Sequence, residues 1–375
     1  MKLVYCINSV SNSGGMERVL SNKVNYWVSK GVQVYIVATD QHNRQRFFSF
    51  DPKVVFFDLR INYDDNNEGS ILKKIVNYPF KVLKNYTKLK RLLKVINPDV
   101  VISMFDNDVW VVPFIKDGSK KVLEIHFSRY WRKAMKRPGL WGIADNIRTW
   151  MNNYIINKFD KFVVLTEEDK ELWGCRKNIV VIPNAISFNS SDTSKLNSKR
   201  VLAIGRLDFQ KNFEDLIDIW AYIAKDFPSW NLTIIGGGRG KSILEHKISQ
   251  LNLTDKVNIL PPTHNVEMWY LDSSIYAMTS RYEGLPMVLI EAQSMGLPII
   301  SYACHCGPKD VITDGEDGFL IDYGDKNNFI LKLREMMSDF NRLKLMGVKA
   351  KENSKRFDED LIMKKWMDLF KSITS

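Results

Sequence analysis

The chain has 375 residues, 45% apolar and 26% charged, a composition that excludes a disordered chain and leaves room for two domains, each with its own core. Four cysteines in this length exclude a disulfide framework, and no window approaches the roughly 18 consecutive apolar residues of a membrane span. The net charge of +11 calls for an acidic partner, whether nucleic acid, anionic lipid or a phosphorylated substrate.

Residues Met1 to Val10 are apolar and run into Ser11-Asn12-Ser13-Gly14-Gly15, which reads as a buried strand and a glycine turn rather than a signal peptide. Leu3–Asn8 is the strand. Glu17–Lys30 follows as a helix with Val19, Leu20, Val24 and Trp27 on one face. Val32–Thr39, opened by Gly31, is the next strand, then Val54–Leu59, Val100–Met104, Lys121–Ile125 and Phe162–Leu165. Thr166 before Glu167-Glu168-Asp169 marks a helix start.

Between Ser70 and Asp160 there are 18 Lys and Arg against 7 Asp and Glu, so this segment holds the whole net charge. Within it Val82, Tyr86, Leu89, Leu93 and Ile96 recur at helical spacing, with Lys81, Lys84, Lys88, Arg91 and Lys94 largely off that stripe. Farther on, Arg129-Tyr130-Trp131-Arg132-Lys133, Trp141, Trp150 and Lys158 mix aromatics with cations. Interfacial helices have this character, and an anionic membrane surface is the partner it fits.

Ser187 to Ser194 is polar and unpatterned, a linker, after which the alternation restarts. Val201–Gly205, Asn231–Gly236, Val257–Leu260, Ile275–Thr279, Ile299–Tyr302 and Gly318–Ile321 are strands; Phe213–Asp226 and Lys241–Leu251 are helices. Strands alternating with helices imply an α/β fold of two doubly wound, Rossmann-like domains, with ligands at the carboxyl ends of the strands. The expected division is 1–187, 188–357 and a C-terminal amphipathic helix, 358–375, packing back across the junction. Its apolar residues are Leu361, Ile362, Trp366, Leu369 and Phe370.

Two stretches carry chemistry. In Gly205-Arg206-Leu207-Asp208-Phe209-Gln210-Lys211-Asn212, Arg206 and Lys211 stand between a strand and a helix, where they can neutralise a diphosphate. In Arg281-Tyr282-Glu283-Gly284-Leu285-Pro286-Met287 through Glu291, Pro286 suits the first helical turn and the amides around Gly284–Met287 lie at the positive end of a helix. Glu283 precedes that helix, and Glu291 is expected about two turns inside it; ionised carboxylates there suit hydroxyl donors. Gly236–Gly240 ends a strand and lets a backbone approach a ligand.

Glu283 and Glu291 with the Gly-Arg-Leu-x-x-x-Lys loop upstream resemble the retaining glycosyltransferase family 4 of the GT-B fold (glycosyl transferases group 1), and the variant Glu283-Gly284-Leu285-Pro286 resembles its bacterial surface-glycan subgroup. The resemblance runs from Gly14-Gly15 to Asp314-Gly315-Glu316-Asp317-Gly318. It implies two Rossmann-like domains facing a cleft. Arg206 and Lys211 would bind the donor diphosphate, Glu291 the ribose and Glu283 the donor sugar, with Gly14 and Gly15 near the phosphates and His126 near the sugar's C6 hydroxyl. Gly236, Gly284, Leu285, Pro286 and Met287 complete the donor side. Many relatives read Glu-Gly-Phe-Gly where this chain has Glu283-Gly284-Leu285-Pro286, and the Pro removes one N–H.

Asp106, in Asp106-Asn107-Asp108, is assigned to the acceptor side or to a structural role, and Arg129 to the acceptor side. The family likeness implies no metal and no cofactor beyond the nucleotide-sugar substrate; Cys304-His305-Cys306 lacks a second ligand pair for zinc. The expected activity is hexosyl or N-acetylhexosaminyl transfer from a nucleotide diphosphate sugar, UDP first among them, to a lipid-linked glycan acceptor, at the cytoplasmic face of the cell membrane. A nucleotide-sugar epimerase or a catalytically silent subunit is the alternative. No helix-turn-helix, zinc module or RNA-recognition signature is present, which argues against a nucleic-acid partner.

Overall fold

Strand β1 (Lys2–Ile7) turns Leu3, Tyr5 and Ile7 to one side and Val4 and Cys6 to the other, and both sets are buried. A strand apolar on both faces belongs inside a parallel sheet covered by helices. The computed structural model, which describes all residues except 13, 67–70, 131–139, 175, 189–191 and 264, has two such sheets.

The first is built from β1, β2 (Gln33–Ala38), β3 (Val55–Asp58), β4 (Val100–Ser103), β5 (Lys120–Glu124), β6 (Lys161–Val164) and β7 (Ile179–Val181). They lie in the order β3-β2-β1-β4-β5-β6-β7, all parallel. The second takes β8 (Arg200–Ile204), β9 (Asn231–Ile235), β10 (Val257–Leu260), β11 (Ile275–Met278), β12 (Ile299–Tyr302) and β13 (Gly318–Ile321), in the order β10-β9-β8-β11-β12-β13. In each sheet the strand order reverses beside the first strand, between β1 and β4 and between β8 and β11. Loops at the carboxyl ends of those two pairs splay apart and make room for a ligand.

One face of the first sheet is covered by the helix Gly15–Ser29, through Leu20, Val24, Trp27 and Val28. The C-terminal helix Glu359–Thr374 packs on the same face. Its Ile362, Met363, Trp366, Leu369 and Phe370 join that core, with the Phe370 ring 6.0 Å from Trp27, whereas Leu361 is exposed. The opposite face carries the helices Ile71–Ile96 and Leu140–Ile156, through Leu89, Leu93, Ile96, Ile155 and Ile156. The apolar stripe expected of the basic segment is therefore core in its second half.

Strand β7 and the helices Lys326–Ser338 and Phe340–Ser354 go beyond the sequence reading. β7 has three half-buried residues at a sheet edge, too few to alternate. No helix among the described residues is long and apolar enough to cross a membrane.

Candidate active site

The loop after β8 puts Arg206 and Lys211 at the point where the second sheet reverses, and the loop after β11 brings Glu283 to the same place. Lys211 Nζ lies 2.7 Å from Glu283 Oε1. Gln210 Nε2 donates to the other carboxylate oxygen at 3.3 Å and to the Tyr282 carbonyl at 3.1 Å. Arg206 donates to Gln210 Oε1 at 2.9 Å and reaches Asp208 at 3.3 Å, with most of its side chain open to solvent. One polar chain thus joins Arg206, Gln210, Glu283 and Lys211. An exposed guanidinium beside a buried ammonium–carboxylate pair is suited to an anion that arrives from solvent.

Glu283 is also held through its backbone. Its N–H donates to the His305 carbonyl at 2.8 Å, and its carbonyl accepts from Cys306 N–H at 3.0 Å. The Cys304–Cys306 stretch is thereby a backbone splint for the site. Cys304 and Cys306 are free thiols, and burial pushes both upward, so they are inert.

The helix after Glu283 is Met287–Ser294. It begins one residue later than the sequence suggested, with Pro286 as its cap, because Pro286 keeps an extended ψ of 95°. Glu291, four residues past Met287, lies about one turn inside, not two. It is 3% exposed, and its carboxylate is partnered on both oxygens. Tyr270 O–H donates to Oε2 at 2.9 Å, and Arg18 Nη1 lies 3.2 Å from Oε1. Arg18 comes from the first helix of the other domain, so this ion pair closes the cleft.

A second contact across the cleft involves Gly284. A β-carbon there would sit 3.0 Å from the His126 carbonyl oxygen, so glycine permits the approach of the two loops. His126 follows β5, with its ring buried and Nε2 3.1 Å from Glu124 Oε1. Gly14 caps the helix Gly15–Ser29 at the carboxyl end of β1. Leu285 is part of the second domain's core, so only its backbone is available to a ligand.

Three expected site residues have other occupations. A β-carbon on Gly236 would lie 1.8 Å from the Gly205 carbonyl oxygen, so this glycine serves the packing of two protein loops. Arg129 folds back on its own domain, donating to the Leu172 carbonyl, with its guanidinium 4.8 Å from the Trp173 ring. Asp106 accepts from the Asn8 N–H at 2.9 Å and tethers the end of β1 to the end of β4. Burial, reinforced by the charges of Glu17, Asp40 and Asp64, lifts Asp106 to about 6. Trp131, Arg132 and Lys133 lie outside the described residues, as does the side chain of Trp141.

Asp40, His42 and Asp64 have ligand atoms within 4.8 Å of one another, the only described grouping of a kind that could hold a cation. Asp40 is already engaged there by the Thr39 hydroxyl and, at 2.9 Å, by the Asp64 N–H. Arg18, Tyr270 and Gln210 are site residues that sequence reasoning missed. A lone Arg, Tyr or Gln inside a helix or loop gives no local signal of what it will meet.

Comparison with known proteins bears on the family and the fold. The Glycosyltransferase Family 4 model matches residues 13–189, and the Glycosyl transferases group 1 model matches residues 187–353. The chain is 28% identical over 379 residues to a Campylobacter jejuni α-1,4-N-acetyl-D-galactosaminyltransferase named for a diNAcBac-PP-undecaprenol-linked GalNAc disaccharide. That match covers 100% of this chain and 99% of the relative. It is 38% identical over 220 residues to the amylovoran biosynthesis glycosyltransferase AmsD of Erwinia amylovora, covering 56% of this chain and 62% of that one. The crystal structure of Anabaena HepE in complex with UDP-glucose has the same fold, with a TM-score of 0.75 at 16% identity over 99% of this chain and 100% of the other.

Proposed function

The chain belongs to the group 1 glycosyl transferases, with the GT-B fold, and from that premise we propose that it transfers a hexosyl or N-acetylhexosaminyl group from a UDP-sugar to a hydroxyl of a lipid-linked glycan, with retention at the anomeric carbon. The observation that carries the reading is the chain Arg206–Gln210–Glu283–Lys211 at the reversal of the second sheet, with Glu291 buried on the helix that follows.

In this reading the donor diphosphate takes Lys211 away from Glu283 and lies between Lys211 and Arg206. Glu283, relieved of its partner, accepts hydroxyls of the sugar. Glu291 exchanges Arg18 for the ribose hydroxyls and keeps Tyr270 as its anchor. The bond from the anomeric carbon to the diphosphate oxygen breaks. The acceptor oxygen bonds that carbon on the same face, and its proton passes to the departing phosphate. Charge grows on the diphosphate as it leaves, and cations fixed there beforehand stabilise it most in the transition state, without a metal. The lipid-linked acceptor is favoured by the name of the Campylobacter relative and by the basic segment of the first domain.

Thermal unfolding with UDP, GDP, ADP and CMP, each at about 1 mM, tests the donor site. A ligand at about 100 times its dissociation constant adds about 2.7 kcal/mol, a shift of several degrees. The expected outcome is a shift with UDP that disappears in Glu291→Ala and Arg206→Ala. No shift with any nucleotide, from folded protein, overturns the reading in favour of a silent subunit.

A further inference from the structure

The core of the first domain holds a buried ionic chain that packing does not require. Lys23, on the helix Gly15–Ser29, and Glu124, the last residue of β5, have side chains 5% and 0% exposed, and Lys23 Nζ is hydrogen-bonded to Glu124 Oε1. Two ions removed from water cost several kcal/mol each, and a well-packed apolar pair would fill the same space at least as stably. Burial pulls Lys23 down. Burial also pushes Glu124 up, but the Lys23 ammonium, which is hydrogen-bonded to it, outweighs that and holds it below its ordinary value, so it is ionised at neutral pH.

The chain has two ends. At one, the Lys23 ammonium lies 4.0 Å from the ring centroid of Trp366, on the returning C-terminal helix, which covers it where water would otherwise stand. At the other, the same Glu124 oxygen that holds Lys23 lies 3.1 Å from His126 Nε2. That contact is at ion-pair distance but off the line of a hydrogen bond. His126 Nδ1 has no hydrogen-bond partner among the described residues. The His126 backbone is the part of the first domain against which Gly284 closes.

A carboxylate facing one ring nitrogen of a neutral imidazole favours the tautomer with its proton on that nitrogen, since the other tautomer sets lone pair against lone pair. We propose that Lys23 and Glu124 are positioning residues for His126: they hold its imidazole with the proton on Nε2 and leave Nδ1, which is buried in this structure, as a hydrogen-bond acceptor that a sugar hydroxyl would meet once the cleft opens. Lys23 keeps Glu124 ionised and oriented, and Trp366 keeps Lys23 dry. The tautomer rests on this geometry alone; the sugar hydroxyl rests on the function proposed above.

Nitrogen-15 NMR of ring-labelled histidines in the purified full chain, with no substrate added, reads the tautomer. His126→Gln identifies the His126 signals by their loss. The wild type is expected to show the proton on Nε2 and Lys23→Arg to match it. In Glu124→Gln the side-chain amide can donate to Nε2, so the proton should move wholly or partly to Nδ1. Circular dichroism and the UDP-induced thermal shift show whether each variant is folded. A wild type protonated on Nδ1, or a folded Glu124→Gln with the wild-type pattern, overturns the proposal. Because no donor or acceptor is present, that failure is distinct from a wrong donor, which the nucleotide series exposes. With a working transfer assay, Glu124→Gln is expected to lower kcat about ten-fold to a hundred-fold, with Lys23→Arg close to wild type.

Discussion

Asp108 lies two residues after Asp106, in the 3-10 turn Asn107–Trp110 that follows β4, and is almost wholly buried. Burial first, and the neighbouring Asp106 carboxylate second, lift it to about 8. Because its folded value exceeds the ordinary value of 3.8, the native state binds the proton more tightly than the unfolded chain does. The stability this contributes is complete below the unfolded value and is lost as pH rises through about 8. Asp108→Asn, neutral at every pH, should therefore unfold a few degrees higher than the wild type above pH 8 and alongside it near pH 4. An equal difference at both pH values would show that charge is not the cause. Glu124 has the opposite sign: its contribution is present above the ordinary value of 4.5 and lost as pH falls through about 2.

Among the elements, the segment from Tyr282 to Gly284 and the stretch Cys304–Cys306 act together. They pair backbone to backbone, and both also touch the first domain. Ser128 Oγ lies 3.0 Å from Cys306 Sγ, His305 contacts Glu168, and the Gly284 backbone meets His126. The loop that holds Glu283 is thus also the surface on which the domains close. Gly284→Ala places a methyl 3.0 Å from the His126 carbonyl. Overpacking of that kind costs about 1–3 kcal/mol, borne here by the contact between the two domains. We expect transfer to fall about ten-fold or more and the radius of gyration in solution scattering to rise. A variant as compact and as active as the wild type would show that this contact does not govern closure.

At the scale of the whole molecule, the two faces of the first sheet have different surroundings. One is closed by the C-terminal helix. The other carries the helices Ile71–Ile96 and Leu140–Ile156, which leave large apolar side chains in solvent: Val76, Phe80 and Leu83 along one helix, Trp150 and Tyr154 on the other. Phe80 and Trp150 are each 70% exposed. The outward stripe of the first helix continues as Arg91 and Lys94, while Lys81 and Lys88 are turned aside to the carbonyls of Asn62 and Leu59. Apolar side chains flanked by exposed cations suit an anionic bilayer surface, where each cation is worth about 1 kcal/mol. The double variant Phe80→Glu with Leu83→Glu is expected to lose most of its co-sedimentation with phosphatidylglycerol vesicles, and the wild type to bind phosphatidylcholine vesicles far less. Equal recovery on both lipids would remove the electrostatic part of the argument.

Local patterns carried much of this protein. Short apolar runs marked twelve of the thirteen strands, and period-3.6 spacing marked the helix Gly15–Ser29, the second half of Ile71–Ile96 and the C-terminal helix, because burial on a sheet or helix face is written in neighbouring residues. The loops holding Arg206, Lys211 and Glu283, and the helix holding Glu291, stood out as contiguous motifs at strand ends, and the roles expected of them came from the family resemblance. What tertiary structure alone decided were pairings between distant parts of the chain. Arg18 meets Glu291 only because two domains close, and Lys23 meets Glu124, 101 residues away, only because a helix lies on β5's sheet. The occupations of Gly236 and Arg129 were likewise set by what packs beside them. Spacing along a chain reports what a residue can do, whereas its partners, and hence its charge state and its role, depend on which surfaces the fold brings into contact.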